Sequence, residues 1–135
     1  MSGPKRIKAP KPPKTYKWSG PERRFAMFWN TDIKDLPFER EIRLIKGRDF
    51  RFDFVWIELK VALEIDGGIW TVGGHTSGAG KSRDCEKDWL ACLEGWQVIR
   101  WTPDMITFEN IRKLADKLSR KKILQGTGNG VKCEK

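Results

Sequence analysis

Asp53, Glu64 and Asp66 stand in two short apolar segments, Arg51-Phe52-Asp53-Phe54-Val55-Trp56 and Val61-Ala62-Leu63-Glu64-Ile65-Asp66. Each segment alternates as a strand does, with Glu64 and Asp66 sharing a face because residues i and i+2 point the same way. The four residues Ile57–Lys60 connect them, so a favourable register brings Asp53 to Glu64. Gathered carboxylates repel one another unless a hard cation sits among them, and oxygen donors of this kind suit Mg²⁺ or Mn²⁺. An ion held there polarises a phosphodiester and activates a water. The competing reading is a wet sheet face whose acids pair with Arg51 or Lys60. Against it stand the apolar flanks and the Gly67-Gly68 pair, which lets a ligand approach the backbone closely.

The elements that must position these acids follow from patterning. Ser19-Gly20-Pro21-Glu22 reads as a helix start, with Ser19 as cap and Glu22 three residues on. Phe25, Met27, Phe28 and Trp29 give that helix an apolar side, and it should end by Asn30–Lys34. Phe38–Ile45 alternates loosely, Lys46-Gly47-Arg48-Asp49 is a turn, and Phe50, Phe52, Phe54 and Trp56 fall on one face opposite Arg51, Asp53 and Val55. With Val61–Asp66 this predicts a three-strand antiparallel meander. A Gly-rich loop over Gly67–Gly80 leads to a helix over 81–94 with Trp89, Leu90 and Leu93 as its stripe, stopped by Gly95. Trp96–Trp101 is a strand, and Ile111, Leu114, Ala115 and Leu118 mark a last helix over 107–121. Trp56, Trp96 and Trp101 are expected in the core, while Trp70, beside the glycine pair, is placed to stack on a base.

The chain has 135 residues and a net charge of +9, and residues 1–18 carry Lys5, Arg6, Lys8, Lys11, Lys14 and Lys17 with no acid. Without those six, 21 bases face 18 acids, a net of +3. The division expected is a basic, proline-rich arm (1–18), one domain (19–122) and a frayed tail (123–135). The arm, with Lys81 and His75, is the predicted nucleic-acid contact. A solubilising tail is the other reading of the arm. No apolar run spans a bilayer, and the basic N-terminus lacks a signal peptide's apolar stretch. Cys85, Cys92 and Cys133 show no paired spacing, which argues against a disulfide framework or zinc site and for a reducing, cytoplasmic location, with Cys85 and Cys92 as buried thiols. One histidine excludes nucleases that place two around a metal. Gly74–Ser82 approaches a phosphate loop but has His75 where the first glycine belongs.

Taken with Asp84-Cys85-Glu86-Lys87 and Gly95-Trp96-Gln97-Val98-Ile99-Arg100, these segments resemble the PD-(D/E)XK nuclease superfamily over about residues 19–120, in particular its small branch related to very-short-patch-repair endonucleases, met in phages and bacteria. The resemblance implies an α/β, restriction-endonuclease-like αβββαβ core with a mixed sheet flanked by helices. It also implies a Mg²⁺-dependent (or Mn²⁺-dependent) endonuclease acting on duplex or branched DNA in repair or recombination, with pairing into a homodimer as in junction-cutting relatives. Carried over, Asp53 is the metal-binding Asp, Glu64 the second acidic ligand, and Glu22 the acid of the first helix, with Asp66 assisting the metal. The superfamily's lysine two residues after Glu64 is Asp66 here, and Lys87 is the candidate to take its role. That departure leaves a non-catalytic nucleic-acid-binding module on the same scaffold as the alternative.

Overall fold

The computed structural model describes residues 17–67 and 78–128. Helix α1 (Gly20–Asp32) opens on the expected capping box: Ser19 Oγ accepts from the Glu22 amide, and the Glu22 carboxylate accepts from the Ser19 amide. Strands β1 (Glu39–Arg43), β2 (Arg51–Trp56) and β3 (Val61–Ile65) form the antiparallel meander. Gly47, at φ +79°, takes the left-handed position in the turn between β1 and β2. A single 3₁₀ turn, Ile57–Leu59, joins β2 to β3. Helix α2 (Gly78–Leu93) carries the chain across to β4 (Gln97–Trp101), which pairs parallel to β3, and α3 (Phe108–Gly128) follows. A parallel neighbour needs such a crossover, so the mixed sheet of order β1-β2-β3-β4 follows from the element order.

Both faces of the sheet are covered. One face packs Phe54, Trp56, Val61 and Leu63 against Phe25 and Trp29 of α1 and Ile111, Leu114 and Leu118 of α3. Its centre is aromatic, with Phe25–Phe54 centroids 4.5 Å apart and Trp29–Trp56 centroids 5.0 Å apart. Both indole N–H groups donate to the carbonyl of Leu36, at 2.8 and 3.2 Å, which satisfies two buried donors with one acceptor. The other face packs Phe52, Val55 and Ala62 against Ala91, Leu90 and Val98.

Several sequence expectations are corrected. Phe50 and Phe52 do not share a face with Phe54 and Trp56. Both pack on the α2 side together with Val55, which was expected on the polar face. Strict alternation breaks at Asp53, where the pairing of β2 with both its neighbours changes. In α2 the buried positions are Lys87 and Ala91, whereas Trp89 and Leu93 are 60% and 62% exposed. Leu90, the third residue of the expected stripe, does pack against the cluster around Ala91 and Phe52. Met27 is exposed on α1, and Cys85 and Cys92 are exposed rather than buried. Helix α3 continues to Gly128, beyond the predicted end near 121, since Lys121 to Gln125 are good helix formers with no breaker among them. Among the described residues no helix is long and apolar enough to cross a membrane.

Candidate metal and catalytic site

The β1–β2 ladder pairs Arg40 with Phe54 and Ile42 with Phe52, which sets Glu41 across from Asp53. That one step is missing from the paired register. Glu41 there adopts φ +52°, a left-handed conformation that costs a non-glycine residue of order 1–3 kcal/mol. On the other side of β2, the paired register with β3 runs Trp56↔Val61, Val55↔Ala62, Phe54↔Leu63, and its next step sets Asp53 against Glu64. There the side chains take over from the backbone. The Asp53 amide donates to Glu64 Oε1 at 2.9 Å, and the Ile65 amide donates to Asp53 Oδ2 at 2.8 Å. Asp53 therefore sits where the sheet departs from regular pleating on both sides. This local break is what lets Phe52 and Phe54 pack on opposite faces.

The carboxylates then sort by the helix each one meets. Asp53 joins Glu41 and Glu22, and an oxygen from each of the three lies within 4.8 Å of the others. Glu22 is delivered by the first turn of α1, where the capping box fixes it. Glu64 turns to α2 instead: Lys87 Nζ is 3.0 Å from Glu64 Oε1, with the two side chains only 11% and 13% exposed. The same ammonium donates to the Arg51 carbonyl and lies 4.2 Å from the Phe52 ring centroid. Behind Glu64, Arg100 is its Cα partner on β4 and grips Asp88 of α2 with two hydrogen bonds of 2.9 and 2.8 Å.

The electrostatics follow from this crowding. Burial, then the neighbouring Glu64, pushes the Asp53 carboxyl up to about 7. Glu41 is raised by burial and by the charges of Asp53 and Glu22. Glu64 is also raised by burial, against the pull of Lys87. Asp53, Glu41 and Glu22 together offer a set of oxygen donors, two of them with upward-shifted pKa values, whose repulsion a divalent cation relieves.

The expected ligand trio of Asp53, Glu64 and Asp66 is thus not the group that converges. Asp53 and Glu64 are adjacent, and the Asp53 amide donates to the Glu64 carboxylate, yet Glu64 carries its own cation in Lys87, and Asp66 lies just past the end of β3, its amide donating to the Trp101 carbonyl. Glu22 enters the cluster as one of its three acids. Glu41 is absent from the sequence prediction, because Glu39-Arg40-Glu41 reads as an ordinary solvated edge. The signal was nonetheless present: Glu41 and Asp53 are equidistant from Gly47, so a hairpin folded at that glycine sets them opposite each other. Of the predicted nucleic-acid contacts, Lys81 is exposed on α2 and Lys17 is exposed just ahead of α1. Lys5, Arg6, Lys8, Lys11, Lys14, His75 and Trp70 lie outside the described residues. A cavity of about 230 Å³ bordered by Leu36, Val55, Trp56 and Leu59 holds none of the clustered acids.

No family model matches the chain, and no curated protein matches it. Among solved structures, the catalytic domain of the homing endonuclease I-Bth0305I is similar with a TM-score of 0.53 and 18% sequence identity, covering 78% of this chain and 96% of that domain. At that identity the likeness is one of fold. What the two share is the α/β fold, here a four-stranded mixed sheet with helices on both faces.

Proposed function

We propose that this chain is a metal-dependent DNA endonuclease of the PD-(D/E)XK type. The observation that carries the reading is the convergence of Glu22, Glu41 and Asp53 at a break in the sheet, beside the buried Glu64–Lys87 pair. The fold shared with a homing endonuclease catalytic domain and the sequence resemblance to very-short-patch-repair endonucleases support it from two further sides. DNA is the substrate in this reading, approached through the basic arm.

Asp53, Glu41 and Glu22 would hold the ion, Mg²⁺ or Mn²⁺. When bound, it supplies Lewis acidity and a water of lowered pKa. The protein's own groups do the rest. Lys87, fixed by Glu64 and the Arg51 carbonyl, keeps a positive charge at the site, where it stabilises the negative charge that builds on the phosphate oxygens. Glu64 orients Lys87 through Oε1 and holds β2 in place through the Asp53 amide. In this reading Lys87 takes the role of the lysine in the superfamily's motif, which the buried pair with Glu64 supports. Repair or recombination is the setting we assign, since the related branch works there.

The test is incubation of supercoiled plasmid and of branched and linear DNA with Mg²⁺ or Mn²⁺. Metal-dependent nicking that is lost in Asp53→Asn, with DNA binding kept, is the expected result. Binding without cleavage of any substrate in either metal would instead make the chain a binding module on a nuclease scaffold.

A further inference from the structure

One cation already sits at the carboxylate cluster. Arg40, next to Glu41 on β1, places its Nη2 2.8 Å from Glu22 Oε2 and 3.8 Å from Glu41 Oε1. Its guanidinium lies 3.3 Å from the centroid of the Trp18 ring, which covers it as α1 begins. The side chain is 17% exposed, and its Nε is buried with no hydrogen-bond partner. A guanidinium serving only as structural glue uses its planar fork of donors on matched acceptors. This one engages the acids by a single nitrogen and leaves another buried donor unmet. Its position is set by charge and stacking, and it faces Glu22 and Glu41, the two acids that converge on Asp53.

We propose that Arg40 is a resident counter-cation of the cluster, and that a divalent ion binds Glu22, Glu41 and Asp53 in competition with it. The inference rests on the metal-site reading above and adds a regulator to it. With no ion bound, Arg40 offsets part of the repulsion among the acids. Ion binding draws Glu22 and Glu41 away from it and frees a guanidinium beside the site. The affinity of the free protein for metal is then lowered by the fraction of time Arg40 holds the two glutamates. A purely structural Arg40, holding Glu22 and Glu41 in place for the ion, predicts the opposite: its removal weakens metal binding.

Calorimetric titration of Mn²⁺ into the DNA-free full chain separates the two. If Arg40 occupies the acids nine-tenths of the time, Arg40→Met binds Mn²⁺ about tenfold more tightly than the unaltered protein. Equal or weaker binding by Arg40→Met overturns the inference while leaving the metal site standing. A second measurement needs no substitution. In ¹⁵N spectra recorded during Mg²⁺ titration, the Arg40 Nε–H signal should shift or exchange faster together with the Ile65 amide, which reports on Asp53. An Ile65 amide that moves while Arg40 stays fixed shows an ion bound without competition and refutes the proposal. If neither signal moves and no Mn²⁺ heat is seen in either protein, the metal-site reading fails and this inference falls with it.

Discussion

Asp53 receives a hydrogen bond from the Ile65 amide, which favours its ionised form, yet burial and Glu64 outweigh that bond and lift its pKa from 3.8 to about 7. The folded chain thus holds a proton there that the unfolded chain has already released. The stability linked to this group is fully present below pH 3.8 and is lost as pH rises towards 7. Since a tenfold change in proton affinity corresponds to ~1.4 kcal/mol, the loss is of the order of a few kcal/mol. Asp53→Asn keeps the acceptor for Ile65 and removes the titration. In the absence of metal, this variant should melt higher than the unaltered protein at pH 8 and show a flatter pH dependence between 4 and 8, by thermal denaturation. Divalent ion should raise the melting temperature of the unaltered protein and leave the variant unmoved. A similar argument applies to Lys87, whose removal strands a buried carboxylate. Lys87→Met should cost about 3–5 kcal/mol in urea denaturation, and adding Glu64→Gln should recover part of that. Equal stability of the single and double variants would show that the pair is not coupled. The sequence marked Asp53 and Glu64 because their residue types and spacing stand out from apolar flanks, and Glu22 and Lys87 through the family resemblance alone. It did not mark Glu41 or Arg40, because a glutamate and an arginine on an edge strand look like any solvated pair until the hairpin register is known.

Strand and helix identities were readable because each is set by local signals: the capping box at Ser19, the left-handed turn at Gly47, the alternation in Val61–Ile65. Facing was readable only where the pleat stays regular. Glu41 takes a left-handed backbone directly across from Asp53, and alternation counted along β2 goes out of phase there, which is why Phe52 faces α2 rather than the side its place in the pattern predicts. Burial in α2 departs from the pattern for a different reason. A hydrophobic stripe predicts which side chains prefer to be covered, whereas the space beneath the helix decided that Ala91 and the stem of Lys87 fit. The strain in β1 is itself testable. A glycine adopts φ +52° without the side-chain clash, at some loss of unfolded-state restriction. Glu41→Gly should therefore stabilise the metal-free protein by about 0.5–1 kcal/mol in chemical denaturation while weakening its response to Mn²⁺. A variant that is both less stable and fully metal-responsive would show that the backbone at position 41 serves packing rather than the acid cluster.

At the scale of the whole chain, charge and chemistry are divided. The acids gather where α1 meets the strained hairpin, while the excess of positive charge lies in residues 1–18, directly ahead of the cap of α1. An acidic centre repels a phosphate backbone unless an ion neutralises it, so attraction must come from elsewhere on the molecule. The arm is the largest block of unopposed bases, and removing residues 1–16 deletes Lys5, Arg6, Lys8, Lys11 and Lys14 without touching Trp18 or Ser19. Every phosphate left without its basic partner should lower the slope of log affinity against log salt by ~0.9 on duplex DNA. If all five bases engage, the truncated chain should bind DNA more weakly at low salt, with the slope reduced by roughly 4–5. The folded centre is intact in that truncation, so saturating DNA at low salt should restore metal-dependent cleavage to nearly the full-length rate. Fluorescence anisotropy across a salt series, paired with single-turnover cleavage, tests both halves. An unchanged salt slope would move the DNA contact to the folded surface, where Lys81, Lys46 and Arg48 are exposed. A cleavage defect that persists at saturation would mean that the arm acts on the centre itself, through the Trp18 ring that covers Arg40.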